Sequence, residues 1–246
     1  MCGRMVIAHP ADELARHFRA APDNDLPGPS WNVCPTQDVA VVVPGAEGRR
    51  LTAKRWGFVP AWAKAAGEGP LMINARAETV ADKPAFREAV RARRCVVPAT
   101  GFYEWTIGEG GEKLPWYVAR ADGAPMALAG IWQDWGQGEA RLSAFAVVTC
   151  AAEGDMARLH HRTPVILAPE DWALWLGEAE GKAAPLMRAA PEGALAMHRV
   201  GREVNSNRAS GPGLIEPVEA EGGEASGAPQ PMFARAAALD RPAGGA

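Results

Sequence analysis

The residues at the start of the chain carry two nucleophiles close together. The sequence begins Met1-Cys2-Gly3-Arg4, and removal of Met1 would leave Cys2 with a free α-amine and a thiol on adjacent carbons. These groups have ordinary pKa values of about 7.7–8.0 and about 8.5, so both are partly nucleophilic near neutral pH. An aldehyde could form a Schiff base with the amine and then a thiazolidine ring with the thiol. A cysteine in this position can equally be unused, and the tetrapeptide alone leaves both interpretations open.

A second polar cluster lies in the segment Ile73-Asn74-Ala75-Arg76-Ala77-Glu78. Alternation along an extended chain places Asn74, Arg76 and Glu78 on one face. An amide, a guanidinium and a carboxylate side by side would form the wall of a polar pocket. The same pattern also fits an exposed polar edge.

Two more clusters contain residues suited to proton transfer. Glu104 lies among aromatic residues in Gly101-Phe102-Tyr103-Glu104-Trp105, where loss of solvent would raise its pKa. A glutamate that points outward from a strand is the competing interpretation. His160 and His161 are adjacent, so in an extended chain one of them would line a site while the other faces away. A solvated loop is the alternative there, and no third ligand is spaced for a metal ion.

Composition excludes several classes of protein. The 246 residues have a net charge of −3, which neither supports nor excludes binding to nucleic acid. The four cysteines are widely separated and form no C-x-x-C pair, so we expect neither a disulfide framework nor a zinc site. Cys34, Cys95 and Cys150 have apolar neighbours and are predicted to be buried. No secretory signal or membrane span is evident, and we expect a cytoplasmic protein without a cofactor.

The hydrophobic pattern predicts an α+β fold with one domain over residues 2–218. Its centre would be a curved, barrel-like and mostly antiparallel sheet flanked by short helices. Helices are predicted at 11–20, 79–94 and 171–176, and strands at 39–43, 51–57, 95–98, 102–105, 115–118, 126–132 and 143–149. Residues 219–246, rich in Gly, Ala, Pro and Glu, are predicted to be a disordered tail.

Together these clusters resemble the SRAP family, whose members shield abasic sites in DNA. The resemblance rests on short motifs that follow the family's order: Met1-Cys2-Gly3-Arg4, Trp31-Asn32-Val33-Cys34-Pro35, Trp56-Gly57-Phe58-Val59-Pro60-Ala61-Trp62, Ile73-Asn74-Ala75-Arg76-Ala77-Glu78-Thr79, Cys95-Val96-Val97-Pro98, Gly101-Phe102-Tyr103-Glu104-Trp105, Leu159-His160-His161-Arg162-Thr163-Pro164 and Val204-Asn205. The combination is very specific to that family.

The resemblance implies covalent capture of abasic sites in single-stranded DNA, by a monomer that associates with the nucleoid when bound to DNA. Cys2 would be the nucleophile, Asn74 would position the opened sugar, Glu104 would shuttle protons, and His160 would act as acid and base on the sugar oxygen. Phosphates and bases would be contacted by a further set of residues: Arg4, Pro35, Pro60, Trp62, Arg76, Trp105 and Arg162.

Other activities remain open at this point. The family resemblance also implies lyase activity through β-elimination, and a peptidase acting on the chain's own N-terminus. A cysteine hydrolase using the Cys2 thiol with Glu104 and His160 is a second hypothesis. A noncovalent nucleic-acid-binding module is a third.

Overall fold

The computed structural model describes residues 2–67 and 69–218. In this part of the chain, α-helices α1 to α4 comprise Ala11–Phe18, Arg87–Ala92, Met156–Leu159 and Trp172–Leu176. The strands β1 to β13 are, in order, Met5–Ile7, Ala20–Pro22, Ser30–Val33, Asp38–Val43, Arg49–Trp56, Asn74–Arg76, Arg94–Ala99, Gly101–Ile107, Lys113–Arg120, Met126–Trp135, Leu142–Ala151, Arg162–Pro164 and Leu195–Arg199. The rest consists of short 3-10 helices, turns and loops.

A closed barrel forms the centre of the fold. Its five strands follow the order β11, β10, β7, β4 and β5, with antiparallel pairing between these neighbours. A parallel pairing of β5 with β11, which places Ala144 opposite Arg55 and Phe145 opposite Trp56, closes the ring. Strands β4 and β7 are almost continuously apolar, as expected for strands buried on both faces.

A second sheet brings the start of the chain beside the aromatic cluster. Its order is β13, β9, β8, β1 and β3, with antiparallel pairing throughout. Strand β1 pairs with β8 through Met5 and Phe102. Because Glu104 is in β8, this pairing places it next to the residues that precede β1. Strand β6 lies outside the five barrel strands and runs parallel to β11, with Asn74 opposite Val147.

The predicted fold class is confirmed, but two helices differ from the prediction. Only residues Arg87–Ala92 of the segment 79–94 are helical, and turns precede them. Pro84 explains the late start because it lacks an N–H donor and disfavours helical backbone at the residue before it. The first helix ends at Phe18, since Arg19 adopts a left-handed conformation with φ of 52°, and the chain then enters β2.

The predicted strands lie within strands of the structure except for Gly57, which follows the end of β5 at Trp56. Several shorter strands were not predicted. Strands β1, β2, β6 and β12 have only three residues each, too few for an alternating pattern. Three cysteines predicted to be buried, Cys34, Cys95 and Cys150, are buried and carry free thiols. The predicted tail at 219–246 lies outside the described residues. Among the described helices, none has the length and apolar character needed to cross a membrane.

Candidate active site around Cys2

Cys2 lies in the interior where the two sheets meet. It has no exposed surface, and its carbonyl oxygen accepts a hydrogen bond of 2.9 Å from Nδ2 of Asn74. Asn74 reaches this position because β6 runs along β11 at the edge of the barrel. Asn74 is predicted to position the opened sugar, and in the structure its side-chain amide contacts the backbone of Cys2.

Glu104 lies close enough to Cys2 for its charge to act on the thiol. Its side chain is buried, with 3% of the residue exposed. Burial raises the pKa of the Cys2 thiol strongly, and the nearby charge of Glu104 raises it further. The thiol is therefore neutral at physiological pH, because both the apolar surroundings and the carboxylate disfavour a thiolate.

His160 follows helix α3 and completes the group. Its Nδ1 accepts a hydrogen bond of 2.9 Å from the backbone N–H of Arg162, and its ring stacks on His161 with 4.2 Å between centroids. Burial lowers the pKa of His160, while the charge of Glu104 partly opposes that shift. His160 is half-buried and His161 is exposed, so the two adjacent rings occupy different environments.

Four predicted site residues thus converge from four separate segments. Asn74 contacts Cys2 directly, Glu104 acts on Cys2 through its charge, and Glu104 also acts on His160. The group combines a nucleophile, an amide donor, a buried carboxylate and an imidazole that is neutral near pH 7. These are the groups needed to add an amine and a thiol to a carbonyl and to move the protons released.

Arg162 lies beneath this group and is held by protein acceptors. Its Nη1 and Nη2 donate to the two carboxylate oxygens of Glu78 at 2.6 and 2.9 Å. Nη2 also donates to the carbonyl oxygen of Thr149 at 2.6 Å. The guanidinium lowers the pKa of Glu78 mainly through these hydrogen bonds. Only 8% of Arg162 is exposed, so its backbone and its paired side chain both support His160.

Arg4 is buried as well, and its guanidinium donates to three oxygen acceptors. Nη1 donates to Oδ1 of Asn32 at 2.7 Å and to the carbonyl oxygen of Val204 at 2.9 Å. Nη2 donates to Oδ1 of Asn207 at 2.5 Å. The guanidinium carbon lies 5.7 Å from the centre of the Trp105 ring, within the range of a cation–π contact.

The other residues predicted to bind DNA differ in exposure. Trp62 has 60% of its surface exposed, and Arg76 is also exposed. Pro35 and Trp105 are half-buried, whereas Pro60 is buried. Trp62 and Arg76 are therefore the members of this set most open to a large ligand.

Several residues that hold the site were not predicted. The side chains of Asn32 and Asn207 accept hydrogen bonds from the buried guanidinium of Arg4. Gln133 donates to the backbone carbonyl oxygen of Val59. The sequence gives no periodic or charge signal for these three residues. Glu78 was predicted as part of a pocket wall, and its pairing with Arg162 joins segments 84 residues apart. Within 2–67 and 69–218, no three acidic, histidine or cysteine side chains are grouped in a way that could hold a metal ion.

The fold and the site define a member of the SRAP family. The family model described as "SOS response associated peptidase (SRAP)" matches residues 1–207, and the chain belongs to this family. The resemblance noted in the sequence is therefore confirmed.

Named relatives and solved structures agree with this assignment. The chain is 33% identical to the abasic site processing protein YoqW of Bacillus subtilis, over 88% of this chain and 99% of that protein. It is 30% identical to the abasic site processing protein YedK of Escherichia coli, over 89% and 100% of the two chains. A crystal structure from Bacteroides thetaiotaomicron matches with a TM-score of 0.77 at 22% identity, over 89% and 100%. That likeness supports the fold.

Proposed function

We propose that this protein captures abasic sites in single-stranded DNA by forming a thiazolidine with Cys2 after removal of Met1. The observation that carries the proposal is the convergence of Asn74, Glu104 and His160 on Cys2. The names of its relatives, abasic site processing proteins, support the same substrate.

The reaction would proceed in two bond-forming steps. The α-amine of Cys2 attacks C1′ of the ring-opened deoxyribose, and loss of water gives an imine. The thiol then adds to the same carbon, and its proton is transferred to the imine nitrogen. Glu104 is placed to carry that proton, since it is close enough to Cys2 to shift its pKa. Asn74 would hold the cysteine backbone while the sugar binds.

His160 would act on the sugar rather than on the cysteine. In its neutral form Nδ1 accepts the N–H of Arg162, so the proton is on Nε2, which can donate to the ring oxygen and assist opening. The same group would assist any β-elimination of the 3′ phosphate, which is the proposed lyase activity.

A thiol-first cysteine hydrolase is less favoured by the electrostatics. Such enzymes lower the pKa of the cysteine so that a thiolate is present at neutral pH. Here burial and Glu104 raise the pKa of Cys2, which suits a reaction in which the amine attacks first. Peptidase activity on the chain's own N-terminus therefore stays a secondary proposal.

DNA would be bound mainly by the exposed members of the predicted set. Arg76 would contact a phosphate, and Trp62 would stack on a base beside Pro35, with Pro60 supporting its loop. Arg162 is buried and bound to Glu78 and Thr149, and Trp105 is half-buried, so both would contribute less to DNA binding than the exposed residues. A local positive patch of this kind needs no overall positive charge. The monomeric state and the cytoplasmic, nucleoid-associated location stay predictions.

The proposal is tested with a single-stranded oligonucleotide that contains one abasic site. The protein, shown by intact mass to lack Met1, should give an adduct that survives denaturation. Cys2→Ala, which retains the α-amine but lacks the thiol, should give none unless the imine is reduced. Cys2→Ser retains the amine but not the thiol, so it should give an adduct only when the imine is reduced with borohydride.

Two outcomes would contradict the proposal. Absence of an adduct from the processed wild-type protein would exclude covalent capture. Unchanged DNA binding in Cys2→Ala together with no wild-type adduct would instead indicate a noncovalent binding module. Chemical blocking of the N-terminal amine distinguishes covalent capture from the cysteine hydrolase. The block should abolish adduct formation, whereas a hydrolase that uses only the thiol would stay active.

A further inference from the structure

The segment 202–209, here called the C-terminal clamp, holds the residue that lies two positions after Cys2. It begins with a 3-10 helix, Arg202–Asn205. Within the clamp, the carbonyl oxygen of Val204 and the side chain of Asn207 accept hydrogen bonds from the guanidinium of Arg4 at 2.9 and 2.5 Å.

Asn32 joins the clamp to Arg4 from a second direction. Its Oδ1 accepts from Arg4 at 2.7 Å, and its Nδ2 donates to the carbonyl oxygens of Ser206 and Ala209 at 3.1 and 2.7 Å. Asn32 is 5% exposed and Arg4 is 9% exposed. In the described residues, Arg4 has no carboxylate within salt-bridge distance, so neutral oxygens of Asn32 and the clamp solvate its charge.

The backbone of Arg4 connects this arrangement to the reacting groups. Its N–H donates to Cys2, which lowers the pKa of the thiol in opposition to burial and Glu104. Its carbonyl oxygen accepts the N–H of Tyr103 at 3.0 Å, and Tyr103 immediately precedes Glu104. Arg4 therefore fixes the position of the thiol relative to the carboxylate.

We propose that the C-terminal clamp and Arg4 form a positioning device for the crosslinking reaction, and that Arg4 acts through Cys2 rather than on a DNA phosphate. The inference rests on the proposed capture of abasic sites by Cys2. It reassigns Arg4, which the family resemblance places among the phosphate contacts. The reason is that Arg4 is only 9% exposed and three of its five N–H groups already donate to protein oxygens.

The first test uses Asn207, whose own side chain is exposed and whose loss leaves the core intact. Asn207→Ala removes one acceptor from the buried charge. At saturating abasic DNA, the rate of adduct formation should fall about tenfold, the size expected for one lost hydrogen bond to a charged group. Asn207→Asp keeps an oxygen acceptor and should restore the wild-type rate. The dissociation constant for the same DNA should be unchanged in both variants.

The second test uses Arg4→Lys, which keeps the charge but loses the planar fork that reaches several acceptors. The adduct should form more slowly, while the slope of log affinity against log salt stays at the wild-type value. Arg4→Gln provides the contrast: loss of a phosphate contact would reduce that slope by about one, whereas a positioning role leaves it unchanged. Ser210→Ala, an exposed change beside the clamp, is the matched control for rate and affinity.

The outcomes separate the inference from the function on which it rests. If the wild-type protein forms no adduct, the proposed function fails. If wild type forms the adduct and Asn207→Ala reacts at the same rate, only the positioning role is excluded. A reduced salt slope in Arg4→Gln would also overturn it, in favour of a phosphate contact. Circular dichroism and thermal melting check folding, and Asn207→Ala decides the question if an Arg4 variant does not fold.

Discussion

At the residue scale, the main feature is a carboxylate buried beside a neutral thiol. Both burial and the charge of Glu104 raise the pKa of Cys2. In the proposed reaction, a protonated thiol would leave the first attack to the amine, and the second step would then need a base. Glu104 is the described residue whose charge reaches both Cys2 and His160.

Replacement of Glu104 by glutamine tests this role. Glu104→Gln keeps the shape of the side chain but removes the charge, so we expect adduct formation to slow about 100-fold, within the range typical of general acid–base catalysis. The pKa of the Cys2 thiol should fall, which is measured from the pH dependence of its alkylation. DNA affinity should be unchanged, and an unchanged adduct rate would exclude Glu104 as the proton carrier.

The candidate catalytic residues could be chosen from the sequence, whereas the residues that hold them could not. Cys2, Asn74, Glu104 and His160 were chosen because of their chemical type and their family motifs, and the structure brings them together. The exposure of Arg4 and Arg162 could not be inferred in this way. Their burial depends on acceptors supplied by distant segments, such as Asn207 and Glu78, and sequence patterns carry no information about such pairs.

At the scale of elements, the loop 57–72 that carries Trp62 is held by strand β10. Gln133 Nε2 donates to the carbonyl oxygen of Val59, and Trp135 Nε1 donates to the carbonyl oxygen of Ala63 at 2.8 Å. The exposed Trp62 thus projects from a loop that is fixed on both sides of it. Such fixing reduces the entropy lost when a base stacks on the ring.

Loss of one of these anchors should weaken DNA binding through Trp62. Trp135→Phe removes the N–H donor and keeps an aromatic ring, so affinity for single-stranded DNA should fall several-fold, measured by fluorescence anisotropy. The same change made in a Trp62→Ala background should have no further effect. Trp116→Phe, which removes a comparable bond to Thr106, is the control and should bind normally. Additive losses in the double variant would contradict the link.

Strands β8 and β9 approach each other closely at Gly101, so this position of β8 has no room for a side chain. A Cβ atom on Gly101 would lie 2.5 Å from the carbonyl oxygen of Val118 and 2.5 Å from the ring of Tyr117. Gly101→Ala should therefore lower the free energy of unfolding by about 1–3 kcal/mol, measured by denaturant unfolding. Gly28→Ala is the control, because a Cβ there meets nothing within 4 Å. Equal stability of the two variants would contradict the expected clash.

At the scale of the whole molecule, several acidic protons are buried. Burial raises the pKa of Cys95 to about 12 and that of Cys150 to about 11, and it raises those of Cys2, Tyr103 and Tyr117 still further. Each group stays protonated in the folded protein at a pH where it ionises in the unfolded chain. The folded state therefore binds more protons than the unfolded state in alkaline solution.

This difference predicts loss of stability at high pH. The contribution of each group is fully present below its unfolded pKa, which is about 8.5 for a thiol, and declines as the pH rises toward its folded pKa. Each group should contribute a slope of about 1.4 kcal/mol per pH unit where its two states differ. Chemical denaturation from pH 8 to 11 measures the slope. Cys95→Ala should reduce it, and a flat profile in the wild-type protein would contradict the prediction.

The contact between Arg4 and the clamp has a consequence for synthesis of the chain. The clamp is translated about 200 residues after Cys2, so at roughly 5–20 residues per second the first residues wait on the order of 10–40 s for their partners. In the folded protein, with Met1 in the chain, Cys2 has no exposed surface. An enzyme that cleaves the bond before Cys2 therefore reaches the Cys2 nitrogen most easily during this interval. The time between synthesis of Cys2 and synthesis of the clamp would therefore determine the fraction of molecules that lose Met1 and can react through the Cys2 amine.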